Sequence, residues 1–255
     1  MISADKNLKE FFPIKELAEI CGIHAGDGYL RHSGYRKELD ISGNYDEQEY
    51  YDNHVIPLFN KVFNLNISGR FFHSRRTYGF VIRDSKVVEF MHDAIGFPYG
   101  AKSLTVDVPD FIQKDVSLIP YFLRGYFDTD GCLTFSKKYG PYTDFKRTRH
   151  GYPRLCFSTV SLNLSNSLQA IFNLTKFNFT DYTYKPMRPT ESLRYRIDMS
   201  GEVMLRKWLD LIGMKNSSKY SRFLVWQRFG FCPPNTTLEQ RQNILKGEMN
   251  PDVLY

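Results

Sequence analysis

Two aspartates carry the first chemical signal. Asp27 and Asp130 each precede a glycine at the foot of an apolar run, PIKELAEICGIHAGDGYL over residues 13–30 and PYFLRGYFDTDGCL over residues 120–133. They stand 103 positions apart. Each run opens on a proline, which the first position of a helix tolerates because its N–H would have no partner there. Each aspartate then falls at the C-terminal end of a helix, where the macrodipole is negative and a carboxylate is disfavoured. A local rule broken twice at equivalent positions marks a functional site. A divalent cation between the two carboxylates removes both conflicts. Mg²⁺ suits such a place, because it accepts few carboxylates and completes its shell with waters and substrate phosphates. Asp128-Thr129-Asp130-Gly131 matches part of an EF-hand loop, but Tyr126 stands where an acid is required and no closing glutamate follows. That alternative is excluded.

The elements that must position the aspartates follow from the spacing of small residues. Ala18, Gly22 and Gly26 lie at helical spacing in the first run, Gly125 and Thr129 in the second, so each set forms a stripe on one face. A glycine inside a helix costs roughly 1 kcal/mol relative to alanine, and close approach of two backbones is the reason to carry it. The two helices are therefore expected side by side about a pseudo-two-fold axis, with Asp27 and Asp130 at one end. The resemblance between the runs extends downstream. Helix-like stretches follow at 46–62 and 161–176, the second with Ser161 as N-cap. Further helices run from Asp84 to Ile95 before Gly96, and from Ser200 to Ile212 before Gly213. Lys102 and Lys219 each stand 6 residues beyond those glycines. The second copy is longer by 14 residues, placed in an elongated hairpin at 137–151. Each half reads helix, two strands, helix, two strands, helix, an α+β class. The halves are expected at 13–112 and 113–230, with a linker near 107–118 and a C-terminal tail at 231–255.

Of the 255 residues, 42% are hydrophobic and 24% charged, a globular composition. No apolar run approaches a membrane span, and no signal peptide is evident at the N-terminus. Membrane and secreted classes are set aside. Four cysteines without a CxxC pair disfavour a zinc ribbon or disulfide framework and fit a reducing intracellular compartment, cytoplasmic or organellar. The net charge is +6, but it is unevenly placed. Segments 29–42, 68–83, 131–158 and 182–196 together carry +13, and the rest of the chain −7. All four alternate polar and apolar residues and read as β-hairpins. A basic sheet face of this kind displaces counterions from phosphates, and the DNA major groove admits a β-ribbon.

ICGIHAGDG at 20–28 and LRGYFDTDG at 123–131 resemble the two motifs of a single-chain LAGLIDADG homing endonuclease. The second is close at most positions. The first departs at several, with His24 at an apolar position and Ala25 where the family often has an acid. The resemblance covers roughly residues 13–230. It implies two pseudo-symmetric αββαββα repeats, motif helices at the interface and a β-sheet saddle on double-stranded DNA. Asp27 and Asp130 would ligate the metals, with the backbone carbonyls of Gly26 and Thr129 contributing. Lys102 and Lys219 match the basic residues beside each scissile phosphate. Asp128 matches a motif position that is not usually a metal ligand.

The implied activity is a Mg²⁺-dependent, site-specific endonuclease, with Ca²⁺ or Mn²⁺ able to occupy the same site. It would cut one phosphodiester per strand, leave short 3′ overhangs and be encoded within an intron. Arginine bidentate to guanine is the commonest specific contact. Arg36, Arg70, Arg75, Arg76, Arg154, Arg188, Arg194 and Arg196 are the base-contact candidates. Lys137, Lys138, Lys146, Arg147 and Arg149 are read as phosphate binders in the long hairpin, and Lys37 and Lys185 join the DNA-binding set. A monomer is expected, because the pseudo-dimer lies within one chain. The competing reading is an RNA maturase, with intron RNA as partner, or a DNA-binding regulator that keeps the fold without cutting. Two unfavourable helix-end carboxylates favour cleavage.

Overall fold

A computed structural model describes residues 8–138, 147–186, 188 and 190–255. The first interface helix, Ile14–Asp27, follows Pro13 and runs directly into strand β1, Gly28–Ser33. The second, Ile119–Thr129, has Pro120 in its first turn and leads through Asp130 and Gly131 to β5, Cys132–Ser136. Neither Asp-Gly glycine has a positive φ. Each is glycine because a Cβ would strike the ring four residues back, 2.1 Å from His24 Nδ1 at Gly28 and 2.2 Å from Phe127 Cδ2 at Gly131. His24 and Phe127 are equivalent under the 103-residue offset, so the odd histidine of the first motif fills the place of a core aromatic ring.

Each half then repeats one topology. β1 pairs with β2 (Arg36–Asn44), β2 with β4 (Thr77–Ile82) and β4 with β3 (Arg70–Phe72), all antiparallel. In the second half β5, β6 (Tyr152–Thr159), β8 (Arg194–Ser200) and β7 (Thr180–Tyr184) stand in the same order. Alternation decides the faces. Leu39, Ile41, Phe80 and Ile82 point to the helices and are buried, as are Leu155, Phe157, Ile197 and Met199. Helix Leu162–Leu174 begins where Ser161 Oγ accepts the N–H of Leu164, as the sequence suggests. Gly96 and Gly213 take the left-handed conformation past their helices, with φ of 94° and 80°.

The seam joins the halves into one hydrophobic core. A Cβ on Gly22 would lie 2.1 Å from Phe122 O, and one on Gly125 would lie 2.2 Å from Glu19 O. Backbone meets backbone at both positions, as the small-residue stripe predicts. Beside this contact, Arg124 Nε donates to Glu19 Oε1 at 2.9 Å, its second nitrogen reaches Glu19 Oε2, and His54 Nε2 lies 2.7 Å from Glu19 Oε1. Burial pushes the Glu19 carboxyl up, but the bonds from Arg124 and His54 prevail and hold it below its ordinary range.

The long connection between β5 and β6 carries the inserted residues. Lys146 and most of the expected elongated hairpin lie outside the described residues. The C-terminal segment holds a helix at Leu238–Lys246 and a short turn at Pro251–Leu254, both packed on the second half. No helix among the described residues is long and apolar enough to cross a membrane.

Candidate active site and nucleic-acid interface

The seam delivers both aspartates to one place. A Cβ built on Gly26 would lie 2.1 Å from Thr129 Oγ1 and 3.4 Å from Asp130 Cγ, so the end of the first helix lies against the end of the second. Asp27 is partly exposed and Asp130 more so. Burial, then the neighbouring Glu47 and Asp130, push the Asp27 carboxyl up to about 7, against a hydrogen bond from Tyr51 and the charge of Lys219. Tyr51 Oη donates to Asp27 Oδ2 at 2.7 Å. Asp130 is raised as well, by desolvation, with Lys102 and Lys219 opposing.

Both lysines reach the helix ends. Lys102 Nζ donates to Gly26 O at 2.8 Å. Lys219 Nζ donates to Phe127 O, Asp128 O and Thr129 O at 2.8, 2.6 and 2.7 Å. These are last-turn carbonyls that lack helical partners, and cations are favoured at that end of the dipole. Burial lowers the Lys102 pKa, with Asp130 and Asp27 pulling the other way. Asp128 turns away from this cluster. Its Oδ2 accepts the N–H of Lys215 at 2.7 Å, and burial lifts its pKa to about 6.

The donor set suits a hard divalent cation. Among the described residues no three His, Cys, Asp or Glu side chains converge as a ready cage. Two carboxylates that mutually repel, beside the carbonyls of Gly26 and Thr129, are what the site supplies. That is the sparse oxygen set Mg²⁺ accepts when waters and phosphates complete its shell. The same two carbonyls accept the lysine ammoniums, so a cation there would share them.

Four neighbours of the site were not singled out from the sequence. Tyr51 lies in a wide helical turn, Tyr51–Val55, ahead of helix Ile56–Phe63. Pro57 cannot donate a backbone bond, which is the local signal for that disruption. Glu47 belongs to a capping box with Asn44, a pattern present in the sequence. Gly43 holds the space between the two acids, because a Cβ there would lie 2.7 Å from Glu47 Oε2 and 2.8 Å from Asp27 Oδ2. Asn216 caps helix Ser217–Phe229 and also donates to Glu47 Oε1 and Asp128 O, both at 2.7 Å. It thereby ties the two halves together beside the aspartates.

The outer sheet faces begin where the aspartates end. In the first half, Glu38 gathers three arginines: Arg83 Nε at 2.8 Å, Arg36 at 2.9 Å and Arg31 at 3.4 Å. Arg75 bonds Asp40 at 2.7 Å, and the guanidiniums of Arg70 and Arg75 lie over the Phe72 ring at 4.7 and 4.2 Å. Arg76 is exposed at a left-handed turn with φ of 53°. In the second half, Asp198 takes Arg196 at 2.7 Å and Arg154 at 3.8 Å. Arg194 is exposed on the same face, opposite Tyr184. Lys185 and Arg188 are exposed beyond β7, Arg188 lying 4.0 Å from Glu191. Lys137, Lys138, Arg147 and Arg149 flank the long connection. Arg149 pairs with Asp252 at 2.9 Å, and Lys137 lies over the Tyr255 ring.

Lys37 is placed apart from these candidates. It shares the inner side of β2 with Leu39 and Ile41, and its Nζ bonds Glu89 at 2.5 Å. Strand alternation turns it away from the face that holds Arg36 and Glu38.

No family model and no curated protein matches the sequence. Solved structures do match. The I-LtrWI LAGLIDADG homing endonuclease bound to target DNA superposes with a TM-score of 0.53 at 15% identity, covering 93% of this chain and 98% of that one. I-SmaMI, bound to uncleaved DNA in the presence of calcium ions, gives 0.52 at 12% identity over 93% and 96%. The LAGLIDADG meganuclease I-AabMI, bound to uncleaved DNA, gives 0.50 at 10% identity over 91% and 98%. The chain has the two-repeat LAGLIDADG fold. At these identities the likeness is one of fold, and it agrees with the motif resemblance at 20–28 and 123–131. Asp27 and Asp130 therefore lie at the foot of the paired LAGLIDADG helices.

Proposed function

We propose that the protein is a site-specific endonuclease acting on double-stranded DNA as a monomer. With Mg²⁺ it hydrolyses one phosphodiester in each strand and leaves short 3′ overhangs, and its reading frame lies within an intron. The observation that carries this reading is the meeting of Asp27 and Asp130 at the foot of the glycine seam, each at the start of an arginine-bearing sheet. When bound there, a divalent cation stabilises charge on the phosphate and eases ionisation of water.

The chain's own residues supply the rest. Asp27 and Asp130 hold the cation, and the Tyr51 hydroxyl fixes the orientation of Asp27. Lys102 and Lys219 bring positive charge to the same end of the seam, where negative charge develops on the phosphate. Arg36, Arg70, Arg75, Arg76, Arg154, Arg188, Arg194 and Arg196 read bases. Those among them held by Glu38, Asp40 or Asp198 are pre-oriented, which lowers the entropy lost on binding. Lys137, Lys138, Lys146, Arg147, Arg149 and Lys185 hold phosphates. Four free cysteines suit a reducing compartment.

The test is a cleavage selection. The protein is incubated with randomised double-stranded DNA and Mg²⁺, and the new ends are sequenced. One long site with a fixed 3′ overhang is the expected result, with Asp27→Asn and Asp130→Asn yielding no ends while still retaining that site in Ca²⁺. Selective retention without cutting by the wild type would replace the endonuclease with a regulator or maturase. Cutting by either Asn variant would remove the aspartates from the mechanism.

A further inference from the structure

Arg241 breaks two local rules at once. It is 1% exposed, yet none of its hydrogen bonds goes to a carboxylate. A buried charge without a counter-ion is ordinarily disfavoured. It also lies at the N-terminal turn of helix Ser217–Phe229, the positive end of that dipole, whose first turn carries no acidic residue; Asp46, from the other half, acts on it through space without a hydrogen bond. Burial and the neighbouring Arg222 lower its pKa to about 10.

The guanidinium is nonetheless fully spoken for. Nε donates to Ser221 Oγ at 2.9 Å, one terminal nitrogen to Thr236 O and to Thr236 Oγ1 at 3.1 Å, and the other to Ser218 O at 3.0 Å and Ser218 Oγ at 3.1 Å. A planar fork with five donors fits this cluster, and an ammonium does not. Two of the three residues it grips, Ser218 and Ser221, flank Lys219. From the other side Asn216 Oδ1 accepts the N–H groups of Ser218 and Lys219 at 3.0 and 3.4 Å. The turn that launches Lys219 is thus clamped between a cap and a buried fork.

We propose that Arg241 is a positioning residue for Lys219: it fixes the first turn of helix Ser217–Phe229 so that the ammonium stays on the last-turn carbonyls beside Asp130. The inference rests on the catalytic reading of Lys219 given above. Lys102 has no counterpart to this brace, since it sits in a turn closed by the N–H groups of Thr105 and Val106 on its own carbonyl. Loss of Arg241 therefore acts on one strand.

The test uses the full chain and its selected DNA site, with single-turnover rates read separately for the two strands. Lys219→Met identifies the strand that Lys219 serves. Arg241→Met and Arg241→Lys are expected to slow that strand at least tenfold, leave the other within threefold and accumulate nicked DNA. Affinity in Ca²⁺ should stay within threefold. Ser218→Ala, a milder change that keeps the fold, is expected to show the same strand bias at smaller size. Thr236→Val loosens the far side of the fork and is expected to lower the melting temperature without bias. Equal slowing of both strands by the Arg241 variants and by Ser218→Ala would make the residue merely structural and overturn the proposal. If Lys219→Met cuts both strands at wild-type rates, the reading of Lys219 itself has failed, and the role of Arg241 falls with it.

Discussion

The two lysines at the foot of the seam are equivalent by repeat and unequal by support. Lys102 takes one carbonyl, Gly26 O, from an irregular loop. Lys219 takes three carbonyls from the first turn of a 13-residue helix capped by Asn216. The aspartates differ too. Asp27 faces Glu47 and receives the Tyr51 hydroxyl, whereas at Asp130 the charges of Lys102 and Lys219 work against desolvation. A duplicated architecture has kept its seam and sheets while its two chemical ends have diverged. Equal cutting of both strands is not what such a site should give.

The sharpest experiment removes what the halves hold in common. Asp27→Asn and Asp130→Asn are each expected to reduce cutting of both strands by on the order of 10³-fold, because the two carboxylates share one space. Single-turnover assays on a doubly labelled duplex measure it. A variant that spares one strand would separate the centre into two independent sites. The lysines probe the opposite property. Lys102→Met and Lys219→Met should each slow one strand by about 10²-fold, and not the same strand. Nicked intermediates resolved on a denaturing gel decide this, and loss of both strands in either variant would erase the division of labour.

Two further changes test whether the halves are one unit. Arg124→Met leaves Glu19 buried without its fork partner and should cost about 3 kcal/mol, as breaking buried pairs does. Urea unfolding reads the loss, and two separate transitions in the variant would show halves that fold independently. Gly22→Ala gains roughly 1 kcal/mol of helix propensity. Its Cβ would lie 2.1 Å from Phe122 O, and overpacking of about 1–3 kcal/mol outweighs the gain. The melting temperature should therefore fall rather than rise.

The most gradual effect lies in pH. The Asp27 carboxyl is raised to about 7 in the folded protein, against roughly 3.9 in an unfolded chain. Between those values the native state binds more protons, so this group stabilises the fold at low pH, and its contribution is lost as pH rises toward 7. Metal-free stability measured from pH 4.5 to 8 should show this slope, and Asp27→Asn should flatten it. A slope unchanged in the variant would move the titration elsewhere.

Much of this arrangement is legible in the residues themselves, because it is local or repeated. The glycine stripe, the Ile-Gly helix ends and the Ser161 cap are short-range patterns whose physics does not depend on the rest of the chain. His24 looks anomalous alone, and the 103-residue offset to Phe127 explains it. Lys37 is a different case. Counting two residues back from Leu39 puts it on the inner side of β2, where its charge meets Glu89. Tyr51 and Glu47 left signals, Pro57 and the Asn44 box, that mark local geometry without saying what the side chains would meet. Asn216 and Arg241 were beyond reach. Their partners are set by tertiary packing, and nothing in the residues near Arg241 signals that its charge is buried.

The mutual insertion at Gly22 and Gly125 bears on how such a chain can be remodelled. The two halves meet through main chain at these glycines and through the Glu19–Arg124 pair beside them, and neither contact carries information about which sheet lies beyond it. A foreign half should be accepted if it brings a glycine at the same register and the matching member of that pair, whatever its hairpins read. One that brings a larger residue should pair less stably. The reading surfaces are in that sense interchangeable parts, and the joint between them is the component that resists change.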